Sequence, residues 1–108
     1  MKIAITSTGT TTQSKLDSRF GRCAHFAIYD TETKGVEFIE NTNRESSEGA
    51  GPATAQLVAS QGVSKVISGE FGGKVKSILE TLKIEMVSMG GCDQTIDQII
   101  ETLKSGIQ

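Results

Sequence analysis

Within Leu16–Asp30, LDSRFGRCAHFAIYD, the chain sets Arg19, Arg22, Cys23 and its one histidine, His25, at the mouth of an apolar run. Arginine carries a permanent charge and a fork of donors suited to anions. Thiolate and imidazole are soft or borderline metal ligands. A second thiol, Cys92, sits in MGGCD beside the pair Gly90–Gly91, and another pair, Gly72–Gly73, lies in GEFGG. Glycines let the backbone approach a ligand closely and offer it N–H groups. The combination suits an anionic, sulfur-rich metal species better than a bare divalent cation.

Each of these residues also has an ordinary reading. The arginines are then solvated loop charges or partners of Asp17 and Asp30. The thiols are small semi-buried hydrophobes. His25 is a half-buried strand residue, Phe20 a loop anchor packed on the core, and the glycines serve tight turns. Position alone favours the bland reading for the cysteines. Their spacing matches no zinc template, and a structural disulfide is improbable in a reducing compartment.

These side chains meet only if the elements carrying them do. Lys2–Ser7 alternates and reads as a strand. Thr8–Arg22 is a long hydroxyl-rich loop, of the kind that tends to be functional or mobile. His25–Asp30 and Val36–Asn41 read as further strands, separated by the turn DTETKG. The three form an antiparallel meander. After the polar loop NTNRESSEGAGP, Pro52 suits the first turn of a helix over Ala53–Gln61 that ends at Gly62. Val63–Ser68 is a buried strand. Val75, Ile78, Leu79 and Leu82 have helical spacing, Ile84–Ser88 is the fifth strand, and Ile96, Ile99, Ile100 and Leu103 repeat the helical pattern. Asp93 is the candidate N-cap and Gly106 the terminator of that last helix.

The order β-β-β-α-β-α-β-α predicts a mixed sheet covered by helices, α/β in class. With the fourth and fifth strands parallel to the first, every glycine- or hydroxyl-rich loop reaches one rim, beyond the strand carboxyl ends. Three helices begin there, near Pro52, Gly73 and Asp93, and their free N–H groups favour anions. If the meander and the βα units flank the first strand on opposite sides, the second and fifth strands lie three spacings of about 4.8 Å apart, ~14 Å in all. One metal ion would not bridge Cys23 and Cys92 at that distance. A large cluster, or two separate contacts, fits better.

The 108 residues suit one domain, 1–108, with its own core. Composition is ordinary, with 36% hydrophobic and 22% charged residues. A net charge of −2 gives no general pull toward nucleic acid, so an anion site must be local. No apolar run approaches a membrane span, and MKIAITSTGT reads as a first strand rather than a signal peptide. A cytoplasmic location is expected. The enzyme reading is weak. The first strand holds no carboxylate for two-metal nuclease chemistry, and a Cys23–His25 pair lacks an orienting acid.

MKIAITS, LDSRFGRCAHFAIYD, GAGPATAQLVASQGVSKVISGEFGGKV and IEMVSMGGCDQTIDQII together resemble the dinitrogenase iron–molybdenum cofactor-binding family, over nearly the whole chain. That family includes NifX-type accessory proteins, the C-terminal domain of NifB-type proteins and the orange protein, which holds a molybdenum–copper–sulfide cluster. The resemblance implies a ribonuclease-H-like three-layer fold. Its five-stranded sheet would have order 3-2-1-4-5, strand 2 antiparallel, and helices on both faces. Nitrogenase-linked members tend to carry His-Phe-Gly where this chain has Arg19-Phe20-Gly21. An arginine suits charge pairing with a cluster held without covalent attachment, as in the orange-protein branch.

The expectation is a non-enzymatic carrier of an anionic Mo/Fe/Cu–sulfide cluster, an iron–molybdenum cofactor precursor among them. Arg19, Phe20, Gly21, Arg22, Gly72, Gly73, Gly90 and Gly91 would contact the cluster, and Cys23, Cys92 and His25 would be metal ligands. Its long loops would be mobile without the cluster. Its partners would be cluster-assembly or acceptor proteins, with no nucleic acid or membrane, and the chain a monomer, a weak dimer being the alternative. The competing reading is a metal-free interaction or regulatory module of the same fold.

Overall fold

The computed structural model describes residues 1–43, 50–89 and 93–104. Five strands, β1 (Lys2–Ser7), β2 (His25–Asp30), β3 (Val36–Glu40), β4 (Val63–Ser68) and β5 (Glu85–Ser88), form one sheet in the order β3-β2-β1-β4-β5. β2 is antiparallel to both neighbours, while β1, β4 and β5 are parallel. Class and strand order are those expected.

Three helices complete the fold: α1 (Ala50–Ser60), α2 (Gly73–Thr81) and α3 (Ile96–Lys104). Alternation along the strands builds two cores, one on each face of the sheet. Ala4, Phe26, Ile28 and Val66 meet Ala55 and Val58 of α1 and Val75 and Leu79 of α2. Ile3, Ile5, Ala27, Tyr29 and Ile67 meet Ile96, Ile99 and Ile100 of α3. Helices thus cover both faces, and the three layers expected are present.

Two element ends, those of β3 and α3, differ from the sequence reading, and the end of α2 is instructive beside them. β3 ends at Glu40, and Asn41, whose N–H still donates to the Ala24 carbonyl at 3.0 Å, is a buried polar residue. α2 stops without a glycine: Lys83 takes the left-handed conformation, φ 61°, and the Ile84 N–H reaches back to the Leu79 carbonyl at 2.9 Å. Asp93 does not cap α3. Thr95 does, its hydroxyl accepting the Gln98 N–H at 3.2 Å while the Gln98 side chain accepts the Thr95 N–H at 2.8 Å. Asp93 instead pairs with Lys15 at 2.8 Å. Gly106 lies outside the described residues.

The Thr8–Arg22 loop is not a free flap. Leu16 bridges to Ser7, and Lys15 bridges to Thr95. The Ser14 and Thr12 carbonyls accept the N–H groups of Ile96 and Asp97, at 2.8 and 2.9 Å. Those bonds consume the first donors of α3, so that helix offers no open N-terminus to an anion. The expected mobility of this loop therefore meets a segment stitched to two elements.

Candidate functional site

β1 hands the chain leftward to β2, and β4 hands it rightward to α2 and β5. Between their carboxyl ends the connections diverge, and α/β sheets place ligands at such points. A cleft of about 550 Å³ opens here. Arg19, Phe20 and Gly21 form one wall, and Glu70, Phe71, Gly72, Lys76 and Ser88 the other.

The left wall is set by Asp17. Its backbone N–H donates to the Thr6 carbonyl at 3.0 Å, and its own carbonyl accepts the Thr6 hydroxyl at 2.8 Å. Its carboxylate accepts the Arg19 N–H at 2.9 Å and faces Arg19 Nε at 3.5 Å. The arginine side chain is 62% exposed and the aspartate side chain 9%. Phe20 is buried beside Phe26 in an edge contact, ring centroids 5.6 Å apart, and lies 5.6 Å from Phe71 across the cleft. Phe20 is thus both a core anchor and a wall.

The right wall is the start of α2. Gly72 is its N-cap in extended conformation, and no side chain caps it. The first N–H groups of a helix have no partner inside it, and they carry the positive end of the dipole. Lys76, one turn in, adds a cation. A Cβ on Gly72 or Gly73 would meet nothing within 4 Å, and neither has a positive φ. Turn geometry therefore does not demand these two glycines, contrary to their ordinary reading.

The remaining expected residues scatter. Arg22 and Gly73 are exposed and do not line the cleft. Cys23 is fully buried in the core against Phe20 and Phe26, its thiol donating to the Phe20 carbonyl at 3.3 Å. Burial, then the Asp17 charge, push that thiol up from 9.0 to about 12, so it is a protonated thiol. His25 faces the other way. β2 begins only at His25, so strand alternation does not extend to Cys23, and His25 shares the α3 face with Ala27 and Tyr29. Its Nδ1 is buried without a hydrogen-bond partner among the described residues. Gly90, Gly91 and Cys92 lie outside the described residues. Among the described residues, no three His, Cys, Asp or Glu side chains converge as a metal-ion site.

Sequence reasoning missed Lys76, Phe71, Glu70 and Ser88 as wall residues. The register GGKVK held the clue for Lys76, which falls one helical turn past the glycine pair. It also missed Asn41, whose Nδ2 donates to the Gly21 and Cys23 carbonyls at 3.1 and 3.0 Å. Its Oδ1 accepts the Asn43 N–H at 3.1 Å and the Thr54 hydroxyl at 3.3 Å. One buried amide so ties the cleft floor, the end of β3 and α1 together. A polar residue at a strand end gives no such signal in sequence.

The dinitrogenase iron-molybdenum cofactor family model matches residues 1–106. The chain belongs to that family. An uncharacterised protein of Methanocaldococcus jannaschii is 33% identical over 96 residues, covering 86% of this chain and 80% of that protein. The apo form of the orange protein from Desulfovibrio gigas superposes with a TM-score of 0.88 at 30% identity, over 97% of this chain and 88% of that one. A putative NifB protein from Thermotoga superposes at 0.82, also at 30% identity, over 97% and 88%. The resemblance read from the sequence is met. Membership in the dinitrogenase iron-molybdenum cofactor family supports a cofactor-binding or carrier role.

Proposed function

We propose that the protein binds and carries an anionic metal–sulfur cluster in the cleft between Arg19 and the start of α2. The observation that carries this reading is convergence. Two cationic side chains, Arg19 and Lys76, and an uncapped helix N-terminus face one 550 Å³ space in a chain of net charge −2. Cationic heads and N–H dipoles attract an anion and donate hydrogen bonds to its sulfides. Phe20 and Phe71 supply an apolar surface that keeps water from part of it. Gly21 and Gly72 let the cargo approach the backbone.

The cluster is cargo, of Mo/Fe/Cu–sulfide type, held by charge and hydrogen bonds. The protein delivers it unchanged to cluster-assembly or acceptor proteins in the cytoplasm, acting as a monomeric carrier and not an enzyme. Cys23 supports the floor from beneath as a neutral thiol, since ligation would require a thiolate that burial opposes. Arg22 and Gly73 adjoin the wall residues Gly21 and Gly72 in sequence, Arg22 adding a positive charge and Gly73 a backbone N–H of the first turn of α2.

Anaerobic titration with tetrathiomolybdate and copper(I), and separately with iron and sulfide, tests the reading by visible absorption after desalting. We expect a retained chromophore at a fixed metal-to-protein ratio. It should be bound more weakly, though still measurably, in Arg19→Ala and Lys76→Ala and kept in Cys23→Ala. Retention by none of these mixtures refutes the carrier and leaves the metal-free module of the same fold. Loss in Cys23→Ala with the fold intact refutes the non-covalent site.

A further inference from the structure

Asp17 sits behind Arg19 with a carboxylate where an anion site should not have one. Its side chain is 9% exposed, so its charge is weakly screened. By Coulomb's law alone it repels any anion in the cleft. Its contacts show what it does instead. Oδ1 accepts the Arg19 backbone N–H at 2.9 Å and faces Nε at 3.5 Å. The Asp17 carbonyl accepts the Gly69 N–H at 3.2 Å and the Thr6 hydroxyl at 2.8 Å. The residue thus joins the ends of β1 and β4 and orients the arginine that stands between them. A guanidinium drawn by charge to a carboxylate 3.5 Å from its Nε has its two terminal nitrogens left to face outward as a fork. A long side chain that is mostly exposed otherwise samples many rotamers, and ordering it on binding weakens affinity.

We propose that Asp17 is a positioning residue, aiming the Arg19 fork into the cleft before the anion arrives. This rests on the reading of the cleft as an anionic-cluster site. The sign of one substitution separates positioning from simple charge. Asp17→Asn is isosteric and keeps an acceptor for the Arg19 N–H, but removes a negative charge beside the site. Charge alone makes the variant bind anions more tightly. Positioning makes it bind more weakly, by about fivefold.

The test is titration of wild type, Asp17→Asn, Arg19→Ala and the double variant with tetrathiomolybdate and copper(I). We expect weaker retention in Asp17→Asn, and no further loss from Asp17→Asn once Arg19 is alanine. Equal or tighter binding by Asp17→Asn overturns the proposal, as does the same loss in both backgrounds. A second measurement needs no ligand. The Arg19 Nε NMR signal should be displaced from its random-coil position in wild type and return to it in Asp17→Asn while the core amide signals stay. An Arg19 signal unchanged by the substitution overturns positioning even where the chromophore is weakened. Failure of wild type to retain any chromophore refutes the carrier reading instead, and the NMR result then decides the Asp17–Arg19 coupling on its own.

Discussion

A β-carbon placed on Gly69 would lie 2.5 Å from the Cα of Ser18. The two walls of the cleft touch there, backbone against backbone, with the Gly69 N–H donating to the Asp17 carbonyl at 3.2 Å. Gly69→Ala must push the walls apart, because backbone atoms cannot move aside as a side-chain tip does. We expect a loss of about 2 kcal/mol in urea denaturation, in the range of overpacked sites. Gly72→Ala is the counterpart, since its Cβ would enter open space. Its stability should stay within about 0.5 kcal/mol of wild type while cluster retention falls. Retention unchanged in Gly72→Ala would sink the role of that wall.

Cys23 should make stability depend on alkaline pH. Its thiol is raised from 9.0 to about 12 in the folded protein, chiefly by burial. An unfolded chain releases that proton above pH 9, whereas the folded one keeps it until about 12. The folded state therefore binds more protons in that window, and stability falls as pH rises, by about 1.4 kcal/mol per unit from this group. Below pH 9 the contribution is complete and flat. Other groups titrate in the same range, so the quantity to compare is the difference in slope between wild type and Cys23→Ala. Parallel slopes from pH 9 to 11 would show the thiol is not sealed.

Asn41 is the buried polar joint under the cleft. Asn41→Ala strands the Cys23 carbonyl and leaves the Gly21 carbonyl and the Thr54 hydroxyl with only their mutual contact at 3.5 Å, at about 2–3 kcal/mol. Urea denaturation at neutral pH measures it. A cost under about 1 kcal/mol would mean that the floor is held by other contacts.

Lys83 offers a gain. A lysine at φ 61° bears a steric cost that glycine does not, at the position following a helix where glycine is favoured. Lys83→Gly should stabilise the protein by about 0.5–1 kcal/mol, raising Tm by about 4 °C. A lowered Tm would show that the side chain has a contact worth more than the strain.

The fold was legible because its signals are periodic. Ile3 and Ile5, Phe26 and Ile28, and the spacings from Val75 and Ile96 each follow one element's own repeat. Strand order also followed, once the resemblance was joined to the direction of each strand. The site was legible only in part. Arg19, Phe20, Gly21 and Gly72 line the cleft, but the thiol and imidazole between them and the strand do not. Strand alternation fails before His25, so nothing in the spacing tells that Cys23 turns into the core and His25 to the far face. The cap of α3 departs from the sequence expectation for a related reason. Asp93 and Thr95 are both good caps by type, and only the reciprocal Gln98 contact selects the threonine. A lysine in left-handed conformation has no sequence mark at all.

The stitches between the Thr8–Arg22 loop and the start of α3 join parts of the chain made far apart in time. Lys15 meets Asp93 across 78 positions, and the Ser14 and Thr12 carbonyls wait for Ile96 and Asp97. A nascent chain holding only the first three strands has the arginine, the aspartate and the glycine of one wall but nothing to set them against. Closing so long a loop is slow, and it comes after the local helices and hairpin have formed. If the cleft holds a cluster as proposed, loading waits until α3 has left the ribosome and docked, and a half-made polypeptide would not sequester it.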